Sequence, residues 1–285
     1  MDRIDAHCHF WDPARGDYGW LDTGPPALDP LRRVFTPAEL AQLNLSRRVV
    51  AVQAADSVAE TRYLLDLAAR FPQIAGVVGW IDLTRHDSVA VLADLAGTPV
   101  LKGIRPMLQD LAEDDWIVTR TDPGVLQAVQ DLGLRFDALV FARHLASLAR
   151  FTTAWPDLPM IIDHCAKPKM GGPLEPSWLD GMAAMAAFPH VHCKISGLLT
   201  ELPDALRQPE AALAALRPVV DEVLRLFGPN RLLWGSDWPV LTLAASHQVW
   251  EQLTDRLLEG LTTSERQAIL GGNAAKFYGL KEDTP

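Results

Sequence analysis

Eight short runs rich in Val, Ile and Leu recur along the chain with amphipathic stretches between them, and this alternation limits the fold more than any other feature. The runs lie at Arg3–Phe10, Arg47–Ala54, Ala75–Leu83, Val100–Met107, Leu134–Phe141, Met160–His164, Val191–Ser196 and Arg231–Ser236. Each has the nearly continuous apolar pattern of a parallel strand covered on both faces. Between them, Val58–Phe71 sets Leu64, Leu65, Leu67 and Ala68 on one helical side, with Glu60 and Arg62 elsewhere. Ser88–Ala96, Pro123–Leu132, His144–Trp155, Ser177–Phe188, Glu210–Phe227 and Ala245–Leu258 read the same way. Helix-start signals stand at Asp122-Pro123, Glu175-Pro176-Ser177 and Thr262-Thr263-Ser264-Glu265. Eight strands, each followed by a helix, over 285 residues predict a single (β/α)8 barrel domain spanning 1–285. A doubly wound open sheet would carry a Gly-rich phosphate turn after its first strand. Here Phe10-Trp11-Asp12-Pro13 stands in that place, and no Pro/Gly/Ser-rich linker divides the chain.

Bulk composition narrows the function classes. Lys+Arg total 26 against 36 Asp+Glu, a formal net charge of −10, so neither nucleic acid nor an anionic membrane is expected as a partner. A hydrophobic share of 48% and a mean hydropathy of +0.05 suit a soluble chain with a large core. No apolar run reaches the length of a membrane span, about 18 residues. The opening Met1-Asp2-Arg3-Ile4-Asp5 lacks the basic and apolar regions of a signal peptide. Cys8, Cys165 and Cys193 form no paired framework, so a reduced, cytoplasmic enzyme is expected. Assembly into a homo-oligomer is left open.

In such a barrel the chemistry gathers at the C-terminal ends of the strands. His7 and His9, two residues apart on the first strand, share a face and can converge inside the barrel on Zn or a similar divalent ion. Two hydrogen-bonded core histidines would be the plainer explanation. Cys8 falls on the other face and reads as a small buried hydrophobe. The eighth strand runs into Gly235-Ser236-Asp237-Trp238-Pro239. A carboxylate there, among apolar neighbours, needs a partner or a metal to offset its desolvation, although a helix N-cap would also use it. Strands one and eight adjoin in a closed barrel, which sets Asp237 beside His7 and His9. The sixth strand adds His164 at the same level.

These residues resemble the amidohydrolase superfamily: His7-x-His9 on strand one, His164 on strand six and Asp237 on strand eight. The finer pattern is similar to its sugar-lactone lactonase branch. It comprises Ile4-Asp5-Ala6-His7-x-His9-Phe10-Trp11-Asp12-Pro13 with Tyr18-x-Trp20, Gly103-Ile104-Arg105, and Asp163-His164-x-x-Lys167-Pro168. Lys194-x-Ser196-Gly197-Leu198, Gly235-Ser236-Asp237-Trp238-Pro239 and Asn273-Ala274 complete it, so the likeness runs to about Tyr278. The resemblance implies an amidohydrolase-type TIM barrel that opens L-fucono-, L-rhamnono- or L-galactono-lactones. Relatives in the branch act on pyrone and muconate lactones, and some lactonases of the family work without metal. Two-metal members use a strand-four lysine and a strand-five histidine. Lys102 and His144 lie in those regions, but Lys102 is mid-strand and His144 starts a helix, so one divalent ion, zinc first, is the expectation.

On this reading His7, His9, Asp237 and His164 are the metal ligands. Asp237 is the general base, and His164 either donates to the lactone carbonyl or completes the metal shell. Arg105, Arg143, Lys167 and Lys194, at or near strand ends, are candidates for binding the carbonyl, ring hydroxyls or a carboxylate. Gln53, Trp11 and Trp238 would hydrogen-bond to or pack on the ring; Glu60 reads as structural. Serine-triad chemistry is disfavoured because no Gly-x-Ser-x-Gly elbow occurs. The expected partner is a small lactone derived from a sugar acid. The competitors are a carboxylated pyrone or muconate lactone, a metal-dependent decarboxylation, and a non-catalytic binding barrel.

Overall fold

The computed structural model describes residues 3–43 and 48–281. Eight parallel strands follow one another round a barrel in sequence order: β1 Ile4–Cys8, β2 Arg48–Val52, β3 Ile74–Gly79, β4 Leu101–Ile104, β5 Arg135–Ala138, β6 Met160–Ile162, β7 Val191–Ile195 and β8 Leu232–Trp234. Arg47, the expected start of the second strand, lies outside the described residues. The seam between β8 and β1 is closed by the chain just beyond β8. Cys8 bridges Trp238 in parallel, the Asp237 N–H donates to His7 O at 2.8 Å, and the His9 N–H donates to Trp238 O at 2.7 Å.

Helices α1 Val58–Arg70, α2 Ser88–Ala96, α3 Pro123–Asp131, α4 Leu145–Ala154, α5 Pro176–Ala186, α6 Pro209–Phe227 and α7 His247–Leu257 ring the barrel. Their starts follow local chemistry. Asp122 accepts from the Gly124 and Val125 N–H groups at 2.7 and 3.2 Å, with Pro123 supplying the fixed φ of a first turn. Thr262 and Glu265 form a reciprocal capping box. Inside the barrel, Ile4, Ala6, Val50, Val52, Val78, Ile161 and Leu233 pack together, and helix α8, Asn273–Tyr278, closes the N-terminal end with Phe277 and Tyr278.

One element departs from the regular βα alternation. After β1 the described chain forms only short helices, such as Gly19–Asp22 and Pro37–Gln42, in place of a long barrel helix. Pro13, Pro25, Pro26 and Pro30, with Gly16 and Gly24, interrupt any longer run. This excursion folds back over the barrel mouth. Trp11 and Phe35 form an isolated antiparallel bridge, and the Trp20 indole N–H donates to Ala54 O at 2.7 Å. The Tyr18 hydroxyl donates to Glu60 Oε2 at 2.6 Å, tying the excursion to α1.

Glu60 is buried, and burial pushes its carboxyl up to about 7 against the hydrogen bonds from Tyr18 and Ala54 and the charge of Arg15. A folded-state pKa above the ordinary 4.5 means that the native protein binds the proton more tightly than the unfolded chain. The resulting stability is complete below the ordinary value and is lost as pH rises through 7. Glu60→Gln imitates the protonated form. We expect it to match the wild type in urea unfolding near pH 4 and to exceed it by up to about 3 kcal/mol near pH 8. A pH-independent difference would reject the assignment.

Candidate active site

A bulge in β1 turns the histidines inward. Asp5 pairs with Val49 and Cys8 with Ala51, so three steps on β1 answer two on β2. One extra residue lets Ala6 and His7 both face inward while Cys8 keeps to the outer layer. His9 follows the strand, and its Nδ1 hydrogen donates to Val52 O at 2.8 Å. Asp237 meets the pair across the seam, with Oδ1 at 3.1 Å from His9 Nε2 and 3.7 Å from His7 Nε2. Asp237 itself has φ +60°, and the preceding chain is fixed by buried Asp5. Asp5 accepts from the Ser236 N–H at 2.8 Å, the Ser236 hydroxyl at 2.5 Å and the His7 N–H at 3.1 Å. Close approach requires glycine beside it: a Cβ on Gly235 would lie 2.7 Å from His7 Cβ.

His164 arrives differently from the strand residue expected. β6 stops at Ile162, and His164, Cys165, Ala166 and Lys167 then run consecutively at φ between +46° and +55°. Left-handed backbone costs roughly 1–2 kcal/mol per non-glycine residue, so this turn persists only because its surroundings fix it. The Trp178 indole donates to Cys165 O at 2.8 Å, and the Cys165 thiol to Lys194 O at 3.3 Å. His164 Nδ1 pairs with Ser196 Oγ at 2.9 Å, its ring centroid is 4.5 Å from that of His7, and Nε2 lies 3.9 Å from Asp237 Oδ1.

Beneath the histidines lies an ionic cluster with no solvent exposure. Lys194 Nζ is 2.6 Å from Asp137 Oδ2, 3.0 Å from Asp163 Oδ1 and 3.1 Å from His7 Nδ1. The Tyr278 hydroxyl, from the plug helix α8, donates to Asp137 Oδ2 at 2.7 Å. Burial alone would lower the lysine's pKa, but Asp137 and Asp163 outweigh it and keep the ammonium charged. Arg105 Nη1 stands between His7 Nε2 and Asp163 Oδ2, at 3.4 and 3.5 Å.

The cluster's protonation suits a cation. Burial lowers His7 well below the ordinary histidine value and takes His164 down to about 4, so both are neutral at pH 7. Burial pushes the Asp237 carboxyl up, but the facing His164, the His9 hydrogen bond and His7 outweigh it and hold it well below the usual carboxylate range. His9 is the telling case. Because Val52 O can only accept, Nδ1 carries the hydrogen, and an Nε2 without one would aim its lone pair at an Asp237 oxygen 3.1 Å away. Two acceptors at that distance repel unless a proton or a metal ion lies between them. His7, His9 and Asp237 offer ligand atoms all within 4.8 Å of one another, as do His7, Asp163 and His164.

A cavity of about 280 Å³ opens above this floor. His9, His164, Asp237, Arg105 and Lys167 line it, and the excursion adds Trp11, Trp20, Pro25 and Leu28. Other sequence candidates sit elsewhere. Lys194 lies within β7 and does not reach the cavity wall. Trp238 is buried against Phe10 and Phe35, and Gln53 donates from Nε2 to Arg105 O at 2.6 Å. Arg143 is partly exposed, bonded to Asp114 Oδ1 at 2.8 Å and to Gln109 O at 3.0 Å. Lys102 donates to Gly279 O, and His144 accepts from the Phe141 N–H, so neither joins the histidine cluster. Asp137, Asp5 and Ser236 were not singled out as site residues from the sequence. A lysine or aspartate inside a strand buried on both faces is itself a signal, since such charges occur only in partnership. Lys194→Met strands two buried carboxylates and should cost about 3–5 kcal/mol in urea unfolding, whereas Arg143→Met should cost under about 1 kcal/mol. Equal losses would refute this division.

Comparison with known proteins places the chain in a family. The amidohydrolase family model matches residues 4–280. The chain is 44% identical to an L-fucono-1,5-lactonase of Burkholderia ambifaria, over 98% of this chain and 96% of the relative. It is 36% identical to an L-fucono-1,5-lactonase of Burkholderia multivorans, over 98% and 97%. A crystal structure of a Burkholderia multivorans amidohydrolase with bound zinc superposes with a TM-score of 0.89 at 34% identity, covering 99% of this chain and all of the other. The chain belongs to the amidohydrolase family.

Proposed function

We propose that this chain is a lactonase that opens L-fucono-1,5-lactone, or a close stereochemical relative, to the aldonic acid. The observation that carries the proposal is the cluster of His9, His164 and Asp237, which line a cavity of about 280 Å³, with His7 buried against them. The full-length similarity to two L-fucono-1,5-lactonases supports it.

Ionised Asp237 takes the proton of the attacking water and returns it to the departing ring oxygen. With Ser196 donating to its Nδ1, His164 presents an Nε2 hydrogen that can donate to the lactone carbonyl as negative charge develops there. Lys194 and Asp163 hold the His7 ring from behind, and Arg105 closes the side. One divalent ion, zinc first, fits between His7, His9 and Asp237 and when bound would polarise the carbonyl.

A carboxylated pyrone or muconate substrate would need cations to spare. Arg105 already faces Asp163 at 3.5 Å and Lys167 faces Glu201 at 3.4 Å. Arg143 faces Asp114, and Lys194 faces Asp137 and Asp163. A neutral lactone asks for no such charge.

A pH-indicator assay over aldonolactones should show acid release with L-fucono-1,5-lactone, and silence across the panel would end the proposal. Asp237→Asn should lower kcat by at least about a hundredfold with the fold intact; undiminished turnover would remove Asp237 as the base. Zinc titration of chelator-treated protein should reach one equivalent with wild type and fail with His9→Ala. Equal uptake by both would place the ion elsewhere.

A further inference from the structure

We infer that Asp110, oriented by Gln109, is the residue that reads the ring hydroxyls of the substrate and repels anionic ligands from the cavity. The inference rests on the lactonase reading above and adds a specificity determinant to it.

Asp110 and Gln109 line the same cavity as Asp237, on the segment after β4. The excursion that follows β1 enters the cavity three strands away, so the two segments face the ligand from different sides. The excursion's contribution is apolar: Trp20, Pro25 and Leu28. The β4 segment brings a carboxylate. Among the described residues no cation lies within 4.0 Å of Asp110, in contrast to the acid partners held by Arg105 and Lys167. Among the described residues its one side-chain partner is the Gln109 amide, whose Nε2 lies 3.2 Å from Oδ1 and 3.4 Å from Oδ2.

This carboxylate sits on a braced support. Leu108–Asp110 forms a helical turn, the Gln109 N–H donates to Leu139 O at 3.0 Å, and Arg143 donates to Gln109 O at 3.0 Å. Arg143 is itself fixed to Asp114. An exposed carboxylate bound only to an amide can accept further hydrogen bonds and has no hydrogen to give. It therefore suits neighbouring hydroxyls on a ring, while the C–H surface of the ring rests against Trp20 and Leu28. The same charge disfavours any carboxylated ligand, including the aldonate formed when the lactone opens.

Two variants test this. Asp110→Ala should raise KM for L-fucono-1,5-lactone at least about tenfold, with kcat changed less than about threefold. Its kcat/KM for δ-valerolactone, which has no hydroxyls, should stay at the wild-type value. Asp110→Asn keeps one acceptor oxygen and removes the charge, so inhibition by the product L-fuconate should tighten while KM rises only a fewfold. Thermal melting checks that both variants keep the fold. A KM within twofold of wild type in Asp110→Ala, an equal loss on both lactones, or unchanged product inhibition in Asp110→Asn would overturn the inference and leave the lactonase reading standing. Wild-type protein that opens no lactone would overturn both.

Discussion

A lysine ammonium sealed inside the barrel, with two aspartates and a histidine as its neighbours, is the interaction on which the rest of the site depends. Lys194 projects from β7 to Asp137 on β5, to Asp163 at the end of β6 and to His7 on β1. Four charged or polar groups from four strands thus share one dry volume. In such surroundings a lone charge is expensive, and each member is tolerable only while the others stay in place. Asp163 begins the turn that carries His164, and His7 rests directly on the ammonium. Two of the three histidines are therefore located by the same ion cluster. The other half of the site, His9 and Asp237, is located by the seam, where Asp5 gathers Ser236 and the His7 backbone.

The left-handed run from His164 to Lys167 shows what this rigidity makes available. Four successive residues in a disfavoured region would relax in an isolated peptide. Here Trp178, Lys194 O and Ser196 hold the backbone, thiol and ring in place. Gly197 is part of the same arrangement, because a Cβ there would lie 2.4 Å from His164 Nδ1. Strain at this turn is balanced by contacts that belong to the barrel wall.

Much of the architecture was legible in the chain. Val/Ile/Leu runs marked the eight strands, and caps such as Asp122 and Thr262 marked helix starts. The His7-x-His9 pair and Asp237 were legible because strands one and eight must adjoin. Other features were not. No residue type announces the bulge in β1, although inward histidines and inward Ile4 and Ala6 are compatible only with one. Lys194 reads as a strand-end cation, because a pattern of apolar residues does not say where β7 stops or which way its side chain turns. Its partner Asp137 lies 57 residues earlier, and only three-dimensional closure brings them together. The lack of a long helix after β1 was written in its prolines, but the regular alternation elsewhere masked them.

That proline-broken excursion has a further consequence. It supplies Trp11, Trp20, Pro25 and Leu28 to the cavity, yet no proton-transfer group and no member of the ion cluster. It is joined to the barrel by hydrogen bonds that include Tyr18 to Glu60, Trp20 to Ala54 and Gln73 to Pro37. The apolar outline of the cavity and its reactive floor thus lie on separable lengths of chain. Mutational drift in the excursion can redraw the outline of an acceptable guest while the reactive floor stays untouched, which is how one scaffold can diversify its diet without relearning its chemistry.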